Sequence, residues 1–121
     1  VPDSLAFTRQ HRLLTGSQYQ TVFDHPKWKV GNAVFLLLAT PSEQPLPRLG
    51  LVIGRKRAKR AVDRACVKRR AREQFRVRQD QLVGLDIILL VRGRIDHPDS
   101  AQVTLQLGQL FDKLLAKCRQ A

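Results

Sequence analysis

Twelve basic side chains fall between Arg55 and Arg78: Arg55, Lys56, Arg57, Lys59, Arg60, Arg64, Lys68, Arg69, Arg70, Arg72, Arg76 and Arg78. Asp63 and Glu73 are the only acids among them, so this segment has a net charge of +10. The rest of the 121-residue chain carries ten basic and eight acidic residues, a net charge of +2. Nearly all the excess charge therefore lies in one fifth of the molecule. A field of this kind attracts polyanions and raises their association rate. Arginine outnumbers lysine nine to three here, and the planar guanidinium pairs bidentately with phosphate and stacks on bases. Phosphate neutralisation by such a segment makes binding steeply salt-dependent.

No catalytic constellation accompanies this charge. His11, His25 and His97 are not spaced as ligands, and Ser4, Ser17, Ser42 and Ser100 lie in no nucleophile motif. No glycine-rich phosphate loop is present. Cys66 and Cys118 lack metal-ligand spacing. They suit a reduced, cytoplasmic setting. Asp63 reads as an internal ion pair rather than a metal ligand. The longest apolar runs are far too short to span a bilayer, and no secretory signal pattern opens the chain.

The elements that must carry the charge can be read from periodicity. From about Lys59 to Arg78 there is no Gly or Pro, and Val67, Ala71 and Phe75 recur every four residues. That stripe predicts a helix docked on a sheet, with Arg69, Arg72 and Arg76 together on another face. It argues against a disordered arm. A merely solvated face would intersperse more glutamate, and a membrane-surface helix needs a broader face of large apolar residues than Ala, Val and one Phe supply. Nucleic acid is the remaining reading.

Around this helix, Ser17 is expected to cap a helix that ends at His25-Pro26 and places Tyr19, Val22 and Phe23 on one face. Strands are predicted at Trp28–Val30, Ala33–Thr40, Arg48–Gly54 and Asp86–Arg92. Gly31-Asn32 forms a turn, and the second and third strands pair as a long-looped antiparallel hairpin. Ser100 is expected to cap a last helix over Ala101–Arg119 with Leu107, Leu110, Phe111, Leu114 and Leu115 as its apolar stripe. The order predicts a single α+β domain over residues 1–121: one small mixed sheet packed with helices in two layers.

Lys59-Arg60-Ala61-Val62-Asp63-Arg64, then Val67-Lys68-Arg69 and Arg72-Glu73-Gln74-Phe75-Arg76, resembles the signature helix of the bacterial ribonuclease P protein subunit. Arg12-Leu13 leading to Tyr19 and Val22-Phe23 resembles the start of that family, Leu49-Gly50-Leu51-Val52-Ile53 its strand before the signature helix, and Asp86–Arg92 the strand after it. The signature departs at Ala65 and Cys66, where the family carries Asn and Arg; this lowers the expected RNA affinity but leaves helix formation intact, because Ala is a strong helix former.

The resemblance implies a left-handed crossover through the signature helix and a role as protein cofactor of a ribozyme that removes the 5′ leader of precursor tRNA. It implies that catalysis and its Mg2+ belong to the RNA. The implied partners are ribonuclease P RNA and precursor tRNA, with no membrane and no obligate protein partner. The ribozyme-contacting set it implies is Arg55, Lys56, Arg57, Lys59, Arg60, Arg64, Lys68, Arg69, Arg72 and Arg76. The cleft for a single-stranded leader would use Tyr19, Phe23, Phe35 and Arg12, since bases stack on aromatic rings without sequence preference. A further aromatic common in the family is here the aliphatic Leu38. The alternative from a different class is a ribosomal or ribosome-assembly protein that binds folded RNA without turnover.

Overall fold

The computed structural model describes residues 12, 13, 15–44 and 46–120. His11 and Ser4 lie outside the described residues. The elements run α1 (Gly16–Asp24), β1 (Trp28–Gly31), β2 (Phe35–Pro41), β3 (Arg48–Val52), α2 (Ala61–Arg76), β4 (Leu85–Val91) and α3 (Ser100–Gln120). The four strands form one mixed sheet in the order β1-β2-β4-β3. β1 and β2 are antiparallel; Gly31, expected in the turn, ends β1 paired with Leu36, and residues 32–34 make the connection, where Asn32 Oδ1 accepts the N–H groups of Val34 and Phe35 at 2.9 and 2.8 Å.

The expected β2–β3 hairpin does not form. β4 sits between the two strands, antiparallel to β2 and parallel to β3. The reason lies in β4 itself. Ile87 and Leu89 face one side of the sheet and Ile88 the other, and all three are fully buried. A strand apolar on both faces is stable in the middle of a sheet. β3 is left on the edge, and the β3–α2–β4 connection is a parallel crossover whose helix is the basic one. Arg48 and Asp86, register partners on these strands, close a bidentate ion pair at 2.8 and 2.6 Å. Donating to the Asp86 carboxylate raises the Arg48 pKa above its ordinary value.

One face of the sheet, with Phe35, Leu37, Ala39, Ile87 and Leu89, packs on α2 and α3. The α2 stripe is Val67, Ala71 and Phe75, all fully buried; α3 contributes Leu107, Leu110, Phe111, Leu114 and Leu115. Arg78 ties the two helices together, donating to Asp112 at 3.0 Å and to the Gln74 side chain at 2.7 Å. The other face is smaller. Leu13 and Val22 cover Leu38 and Ile88 there, with Tyr19 packed beside them.

Two caps differ from expectation. Thr15, not Ser17, caps α1: its hydroxyl accepts from Gln18 N–H, and the Gln18 side chain accepts from Thr15 N–H, a reciprocal capping box. Asp99, not Ser100, accepts from the first N–H groups of α3, at 2.9 Å from Ala101 N. Among the described residues no helix is long and apolar enough to cross a membrane.

Candidate nucleic-acid interface

Along the outer edge of β3, α1 on one face of the sheet and α2 on the other flank a cleft. Arg12 forms a parallel bridge with Leu49, and Leu13 N–H donates to Leu49 C=O at 3.2 Å. The next edge group, Leu51 N–H, donates to the Tyr19 hydroxyl at 3.3 Å. Tyr19 is thereby laid over β3 at Gly50. A Cβ on Gly50 would stand 2.6 Å from Tyr19 Cε1, so only glycine allows the ring this close. From the opposite layer α2 contributes Lys68 and Arg72, one turn apart on the helix face next to its buried stripe.

The resulting cleft, about 240 Å³, is lined by Arg12, Leu13, Tyr19, Leu49, Leu51, Lys68 and Arg72. It presents three cations around one aromatic ring, with no acidic side chain among its lining residues. Partial burial and the neighbouring Arg12 charge both push the Arg72 pKa down, opposed by Tyr19. Crowded positive charge of this kind favours an incoming anion.

The residues named from the sequence separate into distinct environments. Phe35 is not in the cleft. It is 1% exposed, on the sheet face against α2 and α3, because the alternation of β2 sends Phe35, Leu37 and Ala39 to the large core. Phe23 is exposed, one turn from Tyr19 on α1 but outside the residues that line the cleft. Arg64 turns back and donates to the carbonyls of Ala58 and Lys59 at 2.8 and 3.0 Å, stapling the approach to α2. Arg76 pairs with Glu73 at 2.6 Å, which holds the Glu73 carboxyl below its ordinary pKa.

Lys68, Arg69 and Arg72 form no ion pair among the described residues. Arg69 points away from the cleft toward a shallow hollow shared with Arg60, Cys66 and Arg70. Arg55, Lys56, Arg57 and Lys59 are exposed in the turn before α2. Asp63 is 4% exposed, pairs with Arg60 at 3.8 Å and accepts from His97 N–H at 3.3 Å, as an internal partner should. The sequence reading missed Gly50 and Leu51 N–H, the two groups that seat Tyr19. Their signal was the glycine inside an edge strand, a mark of close approach.

Comparison with known proteins shows the family and the fold. The family model for ribonuclease P matches residues 7–115. The chain belongs to the ribonuclease P protein family. The ribonuclease P protein component of Alcanivorax borkumensis is 74% identical over 121 residues, covering all of both chains. That of Idiomarina loihiensis is 43% identical over 97% of this chain and 94% of its own. Among solved structures, the RNase P protein of Staphylococcus aureus superposes with a TM-score of 0.76 over 85% of this chain and 94% of that one, at 24% identity. That of Thermotoga maritima gives 0.69 over 87% and 96%, at 26% identity. These neighbours have the same α+β fold. The family membership makes the chain a protein component of ribonuclease P, to which RNA binding and tRNA processing belong, and does not favour the ribosomal alternative.

Proposed function

We propose that the chain binds the ribonuclease P RNA through the exposed cations of α2 and the turn before it, and holds the single-stranded 5′ leader of precursor tRNA in the cleft at Tyr19. One observation carries the reading: Arg12, Lys68 and Arg72 converge on an aromatic ring with no acid among the lining residues. Single strands are bound in this way, by cations that track the backbone and rings that stack with bases. Tyr19 offers its ring while its hydroxyl stays on Leu51 N–H. Arg72 and Lys68 meet phosphates from one wall and Arg12 from the other.

In this reading the chain contributes binding and orientation. The bond-breaking step, with Mg2+, belongs to the RNA, and the complex works in the cytoplasm. Holding the leader acts on substrate affinity, so the assembled enzyme with a full-length leader gains more from the protein than with a truncated one. The test measures precursor tRNA affinity against leader length for the wild type and for Arg72→Ala. The expected result is that Arg72→Ala flattens the dependence on leader length. An unchanged dependence rejects the cleft as the leader site.

A further inference from the structure

A second concentration of cations lies at the other end of α2, about 15 Å away along the helix by its rise per residue. Lys56, Arg57, Lys59 and Arg60 from the β3–α2 turn and Arg94 from the β4–α3 loop surround a pocket of about 200 Å³. We propose that this pocket, closed by Arg94, grips a backbone phosphate of an RNA partner. The proposal rests on the RNA-binding reading above and adds to it a site whose closing residue lies outside the basic segment.

Two independent features support it. The first is charge balance. Five cations face one carboxylate, Asp96, and that carboxylate is engaged with His97 Nδ1 at 2.7 Å. Lys56, Arg57, Lys59 and Arg94 form no ion pair among the described residues. The second is rigidity. Ile95 N–H donates to Arg57 C=O at 2.7 Å, fastening the two loops together. Ala58 is fully buried beneath them, its N–H and that of Arg57 both bonded to Gly54 C=O at 3.1 Å. The backbone of both loops is therefore already in place, and only the side chains need ordering on binding.

The chemistry is that of a phosphodiester. Its source is either the ribonuclease P RNA or the precursor tRNA, and the experiment separates them. Arg94→Ala is compared with Lys113→Ala, an equal loss of charge on α3 away from the pocket, with a thermal melt of each variant as a check on folding. Affinity for the ribonuclease P RNA alone, and affinity of the assembled enzyme for precursor tRNA, are each measured across a series of salt concentrations.

Arg94→Ala is expected to weaken one of these by about 3- to 10-fold and to reduce its salt slope by about one, while Arg94→Lys keeps the slope. Loss in the first measurement assigns the phosphate to the ribonuclease P RNA; loss in the second alone assigns it to the substrate. If Arg94→Ala matches Lys113→Ala in both, the pocket binds no phosphate and the proposal is overturned. These readouts do not depend on leader length, so failure of the cleft reading and failure of this pocket are told apart.

Discussion

Replacing Gly50 with alanine puts a methyl carbon where the Tyr19 ring now lies. The new Cβ would stand 2.6 Å from Tyr19 Cε1, 2.8 Å from Cζ and 3.0 Å from a methyl of Leu13. Non-bonded carbons settle at about 3.5–4.0 Å, so the ring must retreat by about 1 Å. The Tyr19 hydroxyl is already 3.3 Å from Leu51 N, and that retreat ends the hydrogen bond, a loss of about 1 kcal/mol. Overpacking adds about 1–3 kcal/mol, offset by about 0.5–1 kcal/mol because alanine loses less backbone freedom than glycine. The net expectation is a destabilisation of about 2 kcal/mol, or a urea midpoint lower by about 1 M for a protein of this size.

The decisive comparison is a double-mutant cycle with Tyr19→Ala. Once the ring is gone the methyl has space, so the double variant should be little worse than Tyr19→Ala alone, with a coupling of about 2 kcal/mol. Gly50→Ala should also weaken leader-dependent binding of precursor tRNA while affinity for the ribonuclease P RNA stays near wild type. Strictly additive free energies, or a Gly50→Ala midpoint equal to wild type, would refute the claim that Gly50 seats the ring.

Other expectations follow from the same geometry. Phe35→Ala should cost about 3–5 kcal/mol in urea unfolding, because its side chain is core; a surface-sized loss with selective damage to leader binding would return it to the cleft. Arg48→Ala should cost about 3–5 kcal/mol at neutral pH, since it leaves Asp86 buried without its bidentate partner; a loss below 1 kcal/mol would show that water replaces the arginine. Restoring the family pattern with Ala65→Asn and Cys66→Arg should tighten binding to ribonuclease P RNA and steepen its salt slope by about one. Filter binding across salt concentrations checks this, and an unchanged slope means that this helix face meets no phosphate.

The parts of the fold that were legible in the sequence are those where one residue pattern has one solution. Val67, Ala71 and Phe75 at four-residue spacing allow only a helix docked by that stripe, and the structure buries all three completely. The α3 stripe was legible for the same reason. Pairing was not legible. An apolar β4 indicates a strand covered on both sides, but nothing local states that it divides β2 from β3; that follows from how both faces of the sheet are filled together. Phe35 was misplaced for a related reason. β2 is apolar almost throughout, so its alternation does not reveal which face meets the large core. Within the site, cation identity was readable and cation direction was not. Arg64 and Arg76 look equivalent to Lys68 and Arg72 in sequence, yet the first pair is engaged within the protein and the second opens into the cleft. Arg94, a single arginine in a loop, carried no sequence signal at all.

The central claim is that this chain grips the leader of the substrate at Tyr19, Lys68 and Arg72. Its most direct test is cleavage of precursor tRNA by ribonuclease P RNA at low magnesium, with and without the protein, using matched substrates with a full and a truncated leader. The account predicts that the protein accelerates cleavage of both, tightens binding only of the long-leader substrate, and loses that selectivity with Tyr19→Ala or Arg72→Ala. Equal tightening of both substrates by the wild-type protein would contradict it.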